Sequence, residues 1–373
     1  MPDFARSREA GGPSGCPLAE RLFRRHKTHP VRCGGVTIGG DGPVSVQTMT
    51  KTDTRDAATT LAQVNECARA GADIVRVAIP DAEAAEALAK IKKGALCPIV
   101  ADIHFDHNLA IAAIEAGADK IRINPGNIGG PQKLLAVAER AKDRGTAIRI
   151  GINGGSVERD ILEKHGGPVP EALVESAERA LHLLEDHGYG NLVISLKSSG
   201  VKATVKAYVL MAEKTRWPFH IGITEAGPGV GGVVKSAVGI ASLLTLGLGD
   251  TVRVSLTGSP LDEVKAGRDI LQAAEVSFFG PQIISCPTCG RTQVNLIPLA
   301  EGVAARIRDI RAPLKVAIMG CPVNGPGEAK EADVGIACGR DGGILFMKGK
   351  VLGRVPEADI VDALVRLARE AAK

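Results

Sequence analysis

The feature that most constrains the fold is a recurrence of strand-like runs. Eight short apolar runs rich in β-branched side chains fall between residues 44 and 256: VSVQTM (44–49), DIVRVAI (73–79), PIVADI (98–103), KIRIN (120–124), AIRIGI (147–152), LVISL (192–196), FHIGIT (219–224) and TVRVSL (251–256). Amphipathic stretches of helical length lie between them, for example 57–70, 130–144, 171–187 and 261–275. Most of these stretches close on glycine (ARAGAD, IEAGAD, KDRGT, EDHGYG), the residue that most easily adopts the left-handed backbone ending a helix. Strands joined by crossover helices lie parallel. Eight such units over roughly 235 residues fit a (β/α)8 barrel of the TIM type, whose usual size is roughly 250 residues. An open doubly wound sheet is the alternative.

In a barrel of this kind the active site lies at the C-terminal ends of the strands. The residues there are unusually polar: Gln47, Arg76, Asp102 and His104, Arg122 and Asn124, Arg149 and Asn153, Ser195 and Lys197, Thr224 and Glu225, Arg253 and Ser255. Five strands carry Arg or Lys at this rim, although the whole chain is nearly balanced, with 46 basic against 42 acidic residues. That balance, with only 3% aromatics, speaks against nucleic acid or a membrane surface as the main partner. Converging guanidinium groups instead suit phosphate oxygens, so the mouth is expected to take a diphosphate-sized anion.

Two other motifs carry less. GPGVGG (227–232) spells a dinucleotide fingerprint, but the next strand, RVSLTGS, has no acid for a ribose hydroxyl. It reads better, with NPGNIGG and INGGS, as a tight loop whose N–H groups can approach an anion. ADIHFDH (101–107) could hold a divalent metal, but Asp106 is placed to cap the next helix, leaving Asp102 and His104 for the pocket.

Beyond the last barrel helix the pattern changes. FFGPQIISCPTCGRT opens a second unit that ends in an amphipathic helix at 357–372. Cys286-x-x-Cys289 points two thiolates at one centre, and the turn holding Cys321 can bring a third. A structural zinc site wants a second C-x-x-C or C-x-x-H and none follows; Cys338 stands alone in GIACGRDGG. Three thiolates also suit a [4Fe–4S] cluster with one iron left to a weaker ligand, for which Glu328 is the nearby oxygen. Cys16, Cys33, Cys67 and Cys97 are scattered and read as packing residues. Eight cysteines in 373 residues make no disulfide scaffold, no apolar leader is seen, and the longest apolar run, 14 residues, has the length of a buried helix. A cytoplasmic enzyme is expected, with 1–18 a disordered tail, 19–278 the barrel and 279–373 the small α+β cluster domain.

KIRINPGNIG, ADIHFDHNLA, GITEAGPG, CPTCGRT and GCPVNGPGEAKEADVG together resemble the 4-hydroxy-3-methylbut-2-enyl diphosphate synthase family of isoprenoid biosynthesis, in its bacterial two-domain form. The resemblance implies reduction and dehydration of 2-C-methyl-erythritol 2,4-cyclodiphosphate to the open allylic diphosphate. It implies a [4Fe–4S] cluster on Cys286, Cys289, Cys321 and Glu328. Arg76, Arg122, Arg149, Lys197 and Ser255 would hold the diphosphate, with Asn124, Asn153, Asp102 and His104 in the same pocket, and Glu225 would handle a proton. Ferredoxin or flavodoxin would supply electrons, and the chain would work as a head-to-tail homodimer. Two departures stand out: Cys33 at a position expected to be aliphatic, and VQTMTKTDT in a loop usually written with Ser. The rival readings are a phosphosugar aldolase or isomerase with a zinc-stapled tail, and a zinc-ribbon RNA-binding protein.

Overall fold

A computed structural model describes residues 22–323 and 325–373, so the expected tail over 1–18 lies outside the described residues. The chain divides into two compact units, the first ending at Ser277 and the second running Phe278–Lys373. In the first unit a short hairpin, β1 (Val31–Cys33) and β2 (Val36–Ile38), precedes eight parallel strands. These are β3 (Ser45–Met49), β4 (Ile74–Ala78), β5 (Ile99–Asp102), β6 (Lys120–Ile123), β7 (Ala147–Asn153), β8 (Leu192–Lys197), β9 (His220–Ile221) and β10 (Thr251–Val252). Their order is β8-β7-β6-β5-β4-β3-β10-β9, and a parallel bridge between Ile194 and Phe219 closes the ring from β8 to β9. The barrel expected from the strand–helix alternation is the fold observed.

The last two strands are shorter than FHIGIT and TVRVSL suggest, because the ladder stops at Ile221 and Val252. Just beyond, Gly222 passes so near Arg253 that a Cβ would stand 2.3 Å from the Arg253 carbonyl oxygen. Such an approach leaves no room for a pleated pair of side chains.

Helices α1 (Ala57–Arg69), α2 (Ala82–Gly94), α3 (His107–Glu115), α4 (Pro131–Arg144), α5 (Arg159–His165), α6 (Pro170–Asp186), α7 (Val201–Ala212), α8 (Gly229–Thr245) and α9 (Pro260–Ala273) follow the strands. Several start on a side-chain cap: Asp56, Asp81, Asp106 and Ser259 each accept from a backbone N–H two or three residues on. Among the described residues no helix is long and apolar enough to cross a membrane.

The hairpin is a feature the sequence reading lacked. Val31, Cys33 and Ile38 pack on Ile74, Val100, Ala147 and Val193, near the N-terminal ends of four barrel strands, and so form the barrel floor. Cys33 is fully buried there among aliphatic neighbours, in the role a valine or leucine would fill.

The second unit has a five-stranded sheet, β11 (Gln282–Ser285), β12 (Lys315–Met319), β13 (Val334–Gly339), β14 (Gly342–Met347) and β15 (Lys350–Val355), in that order. The first three are parallel and the last two antiparallel. Helices α10 (Leu296–Arg306), α11 (Gly325–Lys330) and α12 (Ile360–Ala371) complete it, with Val303, Val316, Ile336 and Leu364 in the core. The expected terminal helix at 357–372 begins instead with a 3-10 turn over Glu357–Asp359.

Asp250 fastens the closing strands. It is buried and accepts from Phe219 N (2.8 Å), Thr28 Oγ1 (3.1 Å) and Arg25 Nη2 (3.0 Å). Asp250→Ala strands three donors and is expected to cost about 2–4 kcal/mol of barrel stability in denaturant unfolding. Asp269→Ala, which breaks an exposed i,i+4 pair with Lys265, is expected to cost under about 0.5 kcal/mol in the same measurement.

Candidate functional site

The barrel mouth collects charge from neighbouring strands. Register sets Asp102 of β5 beside Arg122 of β6, Arg122 beside Arg149 of β7, and Asn153 beside Lys197 of β8. Arg76, Asp102, Arg122, Arg149 and Lys197 are all buried, at 8%, 3%, 5%, 2% and 7% exposure, which is rare for such residues without partners. Asp102 is the hub. It accepts from Arg122 Nη1 at 3.2 Å, with Arg76 Nε at 3.8 Å and the exposed His104 ring at 3.4 Å. Burial alone would raise its pKa, yet Arg76, the His104 hydrogen bond, Arg122 and Arg149 hold it well below the usual carboxylate range.

One carboxylate cannot balance this cluster. Arg253 has a separate acid, Glu263 Oε1 at 3.3 Å, but Lys51 Nζ, Thr48 Oγ1 and Leu256 N draw on the same carboxylate. Arg149 Nε and Nη1 and Arg122 Nε are buried with no hydrogen-bond partner. Burial, then the charges of Arg76 and Arg122, disfavour protonated Arg149; burial, then Arg149, Arg253, Arg76 and Arg122, push Lys197 well below its ordinary pKa. Arg253 is lowered to about 10, by burial and then Arg76. Cations so placed are stabilised by a bound anion that takes bidentate hydrogen bonds.

Two glycines make room for them. A Cβ on Gly151 would stand 2.7 Å from Arg122 Nε, and one on Gly222 would stand 3.3 Å from Lys197 Nζ. Asn153, with its amide oxygen turned to Arg122 Nη2, accepts at 3.3 Å. Asn124 is buried and bonds Ser156 Oγ and Gly126 N. Thr224 and Ser255 are half-buried just beyond β9 and β10, and Gln47 is buried with neither amide atom paired. Glu225 is exposed, holds a left-handed φ of 53°, and accepts Lys235 Nζ at its carbonyl. A non-glycine residue held there costs on the order of 1–3 kcal/mol, the kind of strain found at functional positions.

The structure thus brings Arg76, Asp102, His104, Arg122 and Asn153 into direct contact and adds Arg149, Lys197 and Arg253 through their charges. Asp106 caps α3 and bonds Asn108 N at 2.8 Å, as its place in ADIHFDH suggested. Glu263 and Met49 escaped the sequence reading. Arg76 Nη2 lies 3.0 Å from Met49 Sδ, while Glu263 stands in the first turn of a helix, where an acid is ordinary and gives no signal.

In the second unit the parallel strands explain how the cysteines meet. Ser285 of β11 is in register with Ile318 of β12, so Cys286 and the Gly320–Cys321 turn leave the same end of the sheet. Gly320 N donates to Cys286 Sγ at 3.3 Å, and Gln293 N donates to Gly320 O, tying the C-x-x-C loop to that turn. A Cβ on Gly320 would stand 2.7 Å from Thr292 Cγ2 and 3.4 Å from Cys286 Sγ. Backbone and side-chain hydrogen bonds from Arg291 pull the exposed Cys289 thiol below its ordinary value, and the Arg291 charge also faces Cys321. By contrast, burial pushes Cys67 up to about 11 and Cys97 and Cys338 up to about 12, the behaviour of inert packing thiols. Glu328 is exposed in the first turn of α11. Among the described residues no three His, Cys, Asp or Glu side chains converge on a single ion. The donor set nevertheless fits a thiolate-held group wider than one ion: a C-x-x-C loop tied to the turn that carries Cys321, an N–H aimed at sulfur, and at Gly320 no side chain in the way.

Residues 28–268 match the GcpE TIM-barrel domain and residues 282–370 the GcpE protein C-terminal domain. The chain is 54% identical over 339 residues to the 4-hydroxy-3-methylbut-2-en-1-yl diphosphate synthase (flavodoxin) of Geobacter sulfurreducens, covering 91% of this chain and 96% of that one. It is 51% identical over 349 residues to the protein of the same name from Natranaerobius thermophilus, covering 94% and 98%. Matches of this extent, over both units and onto relatives of the same length, place the chain in the GcpE family of 4-hydroxy-3-methylbut-2-en-1-yl diphosphate synthases.

Proposed function

We propose that this chain opens 2-C-methyl-erythritol 2,4-cyclodiphosphate reductively and expels water to give 4-hydroxy-3-methylbut-2-enyl diphosphate. Two electrons and two protons enter for each water released. The observation that carries the reading is the set of buried cations at the barrel mouth with guanidinium N–H groups left for an anion. Relatives bearing the synthase name over nearly the whole chain support the same reaction.

Arg76, Arg122, Arg149, Lys197 and Arg253 bind the two phosphoryl groups, offsetting the repulsion among themselves as they do so. Asn124, Asn153, Thr224 and Ser255 orient the ring by hydrogen bonds. Asp102 holds Arg122, Arg76 and the His104 ring in place. Glu225 and His104, both exposed at strand ends, move protons to the departing oxygen. Cys286, Cys289 and Cys321, with Glu328 on the fourth iron, are the residues that would hold a [4Fe–4S] cluster. When bound, the cluster supplies single electrons and a Lewis-acidic iron.

Flavodoxin is the donor named for the relatives, and ferredoxin offers the same one-electron chemistry. The resemblance that gives the ligand set also gives a homodimer. A chain with this cofactor and these unpaired thiols suits a reducing cytoplasm.

Protein purified without oxygen is expected to be brown, to contain iron and labile sulfide, and to convert the cyclic diphosphate with reduced flavodoxin. A colourless preparation that turns over fully would exclude the reading. Arg122→Ala is expected to weaken substrate binding by about 10–100-fold with the visible spectrum unchanged, since it removes charged hydrogen bonds. Glu225→Gln is expected to keep both spectrum and affinity and to slow turnover by about 10²–10⁴-fold; unchanged turnover would remove Glu225 from proton transfer.

A further inference from the structure

Beneath the anion cup lies a second polar layer that the reaction as described does not use. Lys120 begins β6, two residues before Arg122, so alternation along the strand sends both side chains toward the barrel interior. Lys120 is fully buried and its Nζ has no hydrogen-bond partner. Other buried groups of the barrel strands are in the same condition: both ring nitrogens of His220, which lies within reach of the Lys120 charge, both amide atoms of Gln47, and the hydroxyls of Ser45 and Thr251. Register places Thr251 beside both His220 and Ser45.

We propose that Lys120 is a positioning residue of the diphosphate site: an amine at the barrel floor that takes up a proton when a diphosphate group settles on the arginines. The inference rests on the anion-binding reading above. No group facing Lys120 makes a hydrogen bond to its amine. Cys33 of β1 is a buried thiol whose pKa burial raises; His220 of β9 is kept neutral by burial and then by Arg149, Lys197, Lys120 and Arg76. Arg149 of β7 and Arg76 of β4 are cations. Asp119, next to it in sequence, is committed to Lys92 and to Ile99 N (2.7 Å).

An ammonium held this way is disfavoured until negative charge arrives. Burial is the main cause, the Cys33 and Asp119 charges oppose it, Arg149 and Arg76 add to it, and the amine is lowered to about 8. A diphosphate on Arg76 and Arg149 cancels their repulsion and raises that value. Above the free-state pKa, binding then draws a proton and weakens as pH rises; well below it, Lys120 is already charged and binding is pH-independent in this respect.

The test is calorimetric titration of the full-length, anaerobically reconstituted protein with inorganic diphosphate in two buffers of different ionisation enthalpy. At pH 8 the native protein is expected to take up about half a proton more per site than Lys120→Met, the ligand's own protonation cancelling in the difference. At pH 6.5 the difference is expected to vanish. Lys120→Gln, which keeps a polar group on the floor, serves as second variant should the methionine protein fail to fold. Equal uptake by native protein and a folded variant at pH 8 overturns the role of Lys120 and leaves the anion site standing. No binding of diphosphate to native protein overturns both.

Discussion

Like charges brought together out of water are the constraint on which the barrel depends. Arg76, Arg122, Arg149 and Lys197 are each at most 8% exposed, and Asp102 is the acid that the three arginines share. Taken alone this arrangement opposes folding, because each cation loses hydration and meets its neighbours' repulsion. It persists because the surrounding scaffold is rigid and apolar. The strands that carry the cations also carry Ile74, Ile121, Ile148, Ile150 and Ile194, all fully buried. The energy of that packing holds the guanidinium groups in an arrangement they would not choose, with their N–H donors already oriented, as the proposed anion site requires.

Pre-orientation needs space as well as stiffness. Gly151 and Gly222 sit among long cationic side chains, where any Cβ would collide with Arg122 or with the Arg253 backbone. At Gly222 the same close approach ends the β9–β10 pairing. The loop beyond holds Glu225 in left-handed geometry at the rim rather than on the ladder.

Much of this was legible in the chain. Alternation in KIRIN puts Lys120, Arg122 and Asn124 on one face, and the same parity in IVRVA and AIRIG marks Arg76 and Arg149, so the cationic rim could be read from strand period alone. Asp106 could be read as a cap because Asx residues before a helical stretch have a local role. What could not be read depended on distant pairing. The β1–β2 hairpin is only three residues a side and carries no periodic signal, so its place under Ile74, Val100, Ala147 and Val193 appears only once the barrel closes. Glu263 gives no local signal, because an acid in the first turn of a helix is ordinary, and its burial against Arg253, Lys51 and Thr48 follows from distant pairing.

The cysteines show the same division between local and distant information. C-x-x-C spacing predicts that Cys286 and Cys289 share a centre, and the turn at Cys321 singles it out over Cys338 as the candidate third thiol, but the reason the two differ in surroundings is not local. Topology separates them. Cys321 follows β12, which runs parallel to β11, and so arrives where Cys286 leaves the sheet. Cys338 lies within β13, where neighbours on both sides bury it and keep its thiol protonated. Arg291 lowers Cys289 at the loop junction while burial raises the thiols elsewhere. The thiols thus differ by where they stand: where the parallel pair β11–β12 ends, Cys286 and Cys289 meet N–H donors and a cation, and inside the ladder burial dominates for Cys338.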